Sequence, residues 1–317
     1  MSELKVGPEL IRQRGRLARL VSLFEERPEH SLSLLAQGEG EPVPRIGFAG
    51  PPGSGKSTLI AKLLPWMVDE FGEVAVLAVD PTSEVTGGAL LGDRIRAIEE
   101  ELPERVFFRS LASRGSLGGL SASTAAVARL MERAGFGAIL LETVGVGQIS
   151  CQIAELADTV VTVISPEAGD GVQVLKAGLF EVSDIFVVNK ADRQGAELMR
   201  RNLEEAVEMG SRPEDGWRPR VVVVSALEGK NLDELSAAIS QHIAYLKGNQ
   251  HLTERRRREL VSELRGYFMD RAAGLLLSPE GEALLARLSD RVSAGEMGFS
   301  EVLSELARFV SEQMEQD

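Results

Sequence analysis

The segment Gly50-Pro51-Pro52-Gly53-Ser54-Gly55-Lys56-Ser57 spaces its glycines, lysine and serine as G-x-x-x-x-G-K-[ST]. Glycines in these places let backbone N–H groups turn inward around phosphate oxygens at the start of a helix. A lysine here reaches the β and γ phosphates, and the hydroxyl after it suits Mg²⁺. An apolar stretch, 45–50, leads into the loop and an amphipathic one follows, so the spacing sits in a strand–loop–helix context and not in a chance glycine-rich turn. The candidate nucleotide contacts are Gly50, Pro52, Gly53, Ser54, Gly55, Lys56, Ser57 and Thr58. Such a loop holds ATP as readily as GTP, and serves a kinase as readily as a switch.

The base is read elsewhere. Residues 187–192, VVNKAD, end an apolar run with N-K-x-D: Asn189, Lys190 and Asp192. A carboxylate at a strand end can accept from both N1–H and the 2-amino group of guanine, a donor pair adenine lacks. Lys190 can lay its stem over the base. One run later, Ser225-Ala226-Leu227 stands where a backbone N–H could meet guanine O6. In this order behind a phosphate loop, the two segments select GTP, and GTP/GDP with Mg²⁺ are the expected ligands.

Two acidic loops complete the set. One leaves an apolar run at Asp80 and reaches Asp93; the other leaves at Glu142, with Gly145 three residues on. Carboxylates at strand ends beside a phosphate loop suit Mg²⁺, directly or through water. Isolated aspartates of this kind read as helix caps or turn residues, but these flank a Gly87-Gly88 loop. The candidate metal set is Ser57, Asp80, Asp93 and Glu142. Gly145 could sense the γ-phosphate, and glycines at 87, 88, 92, 145 and 147 suit loops that reorder when it is lost.

The elements that must position these residues alternate along the chain. Short, β-branched, almost wholly apolar runs occur at 45–50, 74–80, 105–110, 138–143, 158–165, 184–190 and 220–226, with helical patterns between them at 56–70, 119–134 and 231–246. Runs of that kind suit strands buried on both faces of a parallel sheet. The expected class is α/β: a P-loop NTPase with a mostly parallel central sheet flanked by helices, plus helical extensions at both ends. Leu10, Ile11, Leu17, Leu20, Val21 and Phe24 recur at helical spacing, and 37–44 reads as a linker. Domains are expected at 1–44 (helical), 45–248 (GTPase) and 249–317 (helical, for dimer or partner contact). In the last, Thr253 and Ser300 suit helix N-caps. The run Arg255–Arg258 is expected along a helix, offset by Glu254, Glu259 and Glu263.

The 317 residues are 44% hydrophobic and 26% charged, with a formal net charge of -13. Such acidity disfavours non-specific nucleic-acid or anionic-membrane binding. One cysteine, Cys151, excludes an intrachain disulfide and a cysteine metal cluster, and reads as a buried thiol. The start lacks the features of a signal peptide and no run of about 18 apolar residues occurs, so a cytoplasmic chain is expected.

Residues 76–96, VLAVDPTSEVTGGALLGDRIR, then SRGSLGGL at 113–120, ETVGVGQ at 142–148 and NKAD at 189–192, behind GPPGSGKST, resemble the MeaB/ArgK GTPases over roughly residues 8–250. That resemblance implies a homodimeric G-protein chaperone of an adenosylcobalamin-dependent acyl-CoA mutase, typically methylmalonyl-CoA mutase. It would gate loading of intact cofactor and help expel damaged cobalamin, timed by slow GTP hydrolysis. The resemblance also implies a loop at 165–178 that transmits nucleotide state, with Lys176 a functional lysine; Lys56, Asp93, Gln148 and Lys176 form the candidate catalytic set. The chain departs from the family in having Ile149-Ser150-Cys151 where Ser-Glu is usual after the glutamine, and DPTS in place of DPSS. Two other classes share the phosphate loop. A small-molecule kinase has no need of a guanine reader. A nickel-inserting GTPase needs clustered soft ligands, whereas this chain has Cys151 and scattered His30, His242 and His251.

Overall fold

The computed structural model describes residues 6–31, 34, 42–80, 103–112, 121–143, 153–166, 179–210, 216–248 and 251–316. After a 3-10 turn at Pro8–Arg12, the elements run α1 (Arg14–Glu26), β1 (Arg45–Ala49), α2 (Lys56–Phe71), β2 (Val74–Asp80), β3 (Val106–Ala112), α3 (Ser121–Ala134), β4 (Ala138–Thr143), β5 (Thr159–Ile164), α4 (Leu179–Val182), β6 (Ile185–Val188), α5 (Ala196–Met209), β7 (Arg220–Val223), α6 (Leu232–Gly248), α7 (His251–Leu276), α8 (Pro279–Ser293) and α9 (Phe299–Gln316). The seven strands form one sheet in the order β3-β2-β4-β1-β5-β6-β7, and every pairing is parallel.

The strands are apolar on both faces because alternate residues feed two cores. Ile46 and Phe48 of β1, Val74 and Val76 of β2, and Val161 and Val163 of β5 pack with α2 and α6. Ala49, Ala75, Leu77, Val79, Val160 and Ile164 pack on the other side with α1, α3 and Leu203 of α5. The opening helical residues join this second core: Leu10, Leu17, Val21 and Phe24 are buried. With all strands parallel, their carboxyl ends lie along one edge, and the central strand β1 is where the chain's path turns from one half of the sheet to the other. Ligands of open α/β sheets bind at that crevice.

The chain divides into two compact units, Met1–Ser262 and Glu263–Asp317, and the division falls inside α7. In the second unit, Leu284, Leu288 and Met297 form a small core against Val302, Leu306 and Phe309. Two cap expectations are corrected. Thr253 lies inside α7 and Ser300 inside α9. The capping side chain is Ser278, whose Oγ accepts from Gly281 N at 3.1 Å ahead of α8, and the Glu301 carboxylate accepts from Gly298 N at 2.8 Å at the start of α9. The arginine run does lie on a helix, but Arg255 and Arg256 also pair with Asp184 and Asp158, each one residue ahead of a strand, partners that the local charge pattern did not reveal.

Candidate active site: a phosphate cradle tied to a base loop

The loop after β1 takes its shape from glycine. Gly50 has φ +133°, and a Cβ there would stand 2.0 Å from the Val163 carbonyl oxygen of β5. No other residue fits so close a backbone crossing. Pro51 and Pro52 offer no N–H, so the N–H groups available to phosphate begin at Gly53. Gly53 (φ +78°) has open space where its Cβ would be. The chain then enters α2 at Lys56, whose unpaired first-turn N–H groups and dipole favour an anion.

Lys56 is buried and its Nζ donates to the Gly50 and Pro51 carbonyls at 2.7 and 3.0 Å. Burial draws its pKa below that of an ordinary lysine, partly opposed by the Glu142 charge. Ser57 Oγ donates to Glu142 Oε1 at 2.6 Å. Glu142 is itself buried near the end of β4, opposite Phe48 of β1 and Ala78 of β2. The fold therefore brings Lys56, Ser57 and Glu142 together. The Ser54 hydroxyl is buried without a hydrogen-bond partner among the described residues. Asp80 ends β2 on the same edge. Asp93, Gly145, Gln148, Cys151 and Lys176 lie outside the described residues.

The base loop is built at the ends of β6 and β7. Lys190 adopts φ +60° and Ala191 N donates to Val224 O at 3.0 Å, which turns the chain so that Asp192 faces Ser225. Ser225 Oγ donates to Asp192 Oδ1 at 2.9 Å and accepts from Glu228 N at 3.3 Å. That hydroxyl holds the Asp192 carboxyl below the usual carboxylate range. Ser225 and Lys230 exchange backbone hydrogen bonds, and Asn231, at φ +58°, donates to Val223 O at 2.9 Å. Leu227 stands at the tip of this turn, 77% exposed.

Asn189 joins the two halves. Its Nδ2 donates to the Ser54 carbonyl at 2.9 Å, and its Oδ1 accepts from Ala226 N at 3.0 Å. The side chain is buried, and a Cβ on Gly55 would come within 2.4 Å of Nδ2. Asn189 thus positions the phosphate loop against the base loop, a role that N-K-x-D spacing does not reveal. The Ser225 side chain and Asn231 were also missed. A serine after a β-branched run and an asparagine before a helix carry no long-range signal.

The donor set fits a hard cation: Ser57 hydroxyl and Glu142 carboxylate are oxygen ligands at hydrogen-bond distance from each other. Among the described residues no group of three or more His, Cys, Asp or Glu side chains could hold a metal. No helix among them is long and apolar enough to cross a membrane.

A phosphate loop after the central strand of a parallel sheet, tied to an N-K-x-D loop two strands away, defines a P-loop GTPase. The chain belongs to the MeaB family: the model of methylmalonyl-CoA mutase-associated GTPase MeaB matches residues 17–278. The GTPase ArgK of Escherichia coli is 36% identical over 262 residues, 80% of this chain and 79% of that one. The mouse methylmalonic aciduria type A homolog, a mitochondrial protein, is 37% identical over 201 residues, 62% of this chain and 48% of its own length. A crystal structure described as an LAO/AO transport system kinase shares the fold with a TM-score of 0.68 at 27% identity, covering 96% of this chain and 97% of that one.

Proposed function

We propose that this GTPase is a switch serving an adenosylcobalamin-dependent acyl-CoA mutase, with methylmalonyl-CoA mutase the first candidate. It would gate loading of intact cofactor and help expel damaged cobalamin. Support for the client comes from the matched family's description and from the name of the mouse relative. The observation that carries the switch reading is the Asn189 bridge, because it makes phosphate-loop and base-loop geometry one unit.

In this reading Lys56 leaves the Gly50 and Pro51 carbonyls for the β and γ phosphates. Ser57 and Glu142, now bonded to each other, would hold Mg²⁺, with Asp80 and Asp93 completing the acidic shell. When bound, that ion neutralises charge on the phosphate oxygens. Asp192 accepts from the guanine N1–H and 2-amino groups, Lys190 covers the ring, and the backbone of Ala226 or Leu227 meets O6. Gly145 senses the γ-phosphate, Gln148 and Lys176 act in hydrolysis, and the chain works as a homodimer through its C-terminal helices.

The test is GTP turnover by the purified chain, alone and with each cobalamin-dependent mutase of its source organism. Slow turnover that rises with one mutase supports the proposal and names the client. Turnover unmoved by every mutase, with no complex by gel filtration, refutes the client and leaves the GTPase.

A further inference from the structure

The edge of the sheet opposite the nucleotide loops carries a separate ionic construction. Asp158 and Asp184 each stand one residue before a strand, β5 and β6. Each carboxylate accepts a backbone N–H from the start of the neighbouring strand: Asp158 Oδ2 from Arg45 N at 2.8 Å, and Asp184 Oδ2 from Val160 N at 2.7 Å. Two successive arginines of α7 close on this pair. Arg256 reaches Asp158 at 2.9 Å, and Arg255 reaches Asp184 at 3.1 and 3.3 Å. Arg255 also donates to the Asp158 carbonyl. Arg256 further meets Glu132 of α3 at 3.1 Å and the Val43 carbonyl at 2.9 Å. One turn on, Glu259 takes Arg45 at 2.5 Å and Arg256 at 3.3 Å.

Residues 251–262 of α7 lack an apolar seam to match. Of their hydrophobic side chains only Leu252 is buried; Val261 is 50% exposed. A cavity of about 460 Å³ opens beside the helix, with Leu156, Ala157 and Val160 on one wall and Arg255, Arg258 and Ser262 on the other. The helix is therefore held largely by ion pairs whose arginine ends stay in touch with water, 23% and 16% exposed, while the Asp184 and Asp158 ends are buried at 8% and 4%. Salt weakens such pairs through their exposed arginine ends, less than it would a fully exposed pair, as the Debye length falls from about 10 Å at 0.1 M to about 3 Å at 1 M, whereas it does not weaken apolar packing.

We propose that residues 251–262 form an ionic strap that leaves the sheet edge as a local unit, without opening the sheet, when the Arg255–Asp184 and Arg256–Asp158 pairs are screened or removed. The groups left behind keep partners. Asp158 and Asp184 retain their backbone donors, Asp184 retains His242 at 3.3 Å, and Arg45 retains Glu132 at 3.0 Å. The carboxylates keep hydrogen-bond donors when the arginines leave, so detachment costs less than it would for groups with no second partner, which is what makes a detached state accessible. The strap is also the segment the chain crosses before entering its second compact unit.

Hydrogen exchange on the full chain tests this. On raising NaCl from about 0.05 M to about 1 M, amides of 251–262 should exchange about tenfold faster while those of β5 and β6 keep their rates. The double variant Asp158→Asn/Asp184→Asn should show the fast rate already at low salt. Trp217 supplies a second readout, since its Nε1 donates to Asp184 O at 3.0 Å and its ring lies 4.6 Å from His242. With Trp66→Phe it is the sole tryptophan, and its emission should shift over the same salt range. Exchange at 251–262 that ignores salt, or that speeds only together with β5 and β6, overturns the strap. Should the double variant not fold, the salt series on the unmodified chain still decides.

Discussion

Replacing Asn189 by alanine removes both ends of the bridge between phosphate loop and base loop. It leaves the Ser54 carbonyl and the Ala226 N–H without their partners. Each orphaned buried backbone group costs about 1–3 kcal/mol, so the pair comes to about 3 kcal/mol once water enters the gap. For a unit of this size about 1 kcal/mol lowers Tm by about 2–4 °C, which gives a fall of about 6–12 °C. Nucleotide must then order both loops itself. If about half of the loss reappears in binding, GDP affinity falls about tenfold, at 1.4 kcal/mol per decade. Asn189→Asp separates the two arms. It keeps an acceptor for Ala226 N–H but turns a carboxylate oxygen toward the Ser54 carbonyl, so affinity should fall at least as far as in the alanine variant. Thermal denaturation with and without GDP, and titration with a fluorescent GDP, measure both quantities. A Tm within about 2 °C of the parent and a Kd within about threefold would refute the bridge as the coupling element.

Other outcomes are expected at Lys56, at Asp192 and on truncation. Lys56→Ala should abolish GTP binding by calorimetry. In the parent, GDP affinity should fall as pH rises through the depressed pKa of free Lys56, short of the ordinary lysine range, with proton uptake on binding because phosphate restores the charge. Asp192→Asn should move preference from GTP toward xanthosine triphosphate in competition assays. Because Ser225 keeps the Asp192 pKa below its ordinary value, that carboxylate is ionised above the unfolded value and loses its charge only as pH falls through the lower folded one, so the GTP/ATP preference of the parent should be flat from about pH 5 to 8. Truncation after Ser262 should leave a folded nucleotide-binding unit that runs as a monomer on gel filtration; a surviving dimer places the interface elsewhere.

The seven apolar runs were legible because a strand buried on both faces must be short, β-branched and apolar throughout, and neighbours in sequence suffice to show that. The phosphate loop and N-K-x-D were legible for a related reason. Their chemistry is set by backbone turns that particular residues, at particular spacings, alone allow. Sequence therefore determined the α/β class, the nucleotide cradle and the strand ends that carry Glu142, Asn189 and Asp192. The insertion of β4 between β1 and β2 was decided only in three dimensions. So was the reach of Asn189 to Ser54, 135 residues away, and of Arg255 and Arg256 to partners 71 and 98 residues away. Burial decides such pairings: a polar group is driven to whichever partner the sheet order places beside it, and that order is a property of the packed layers, not of any local stretch of chain.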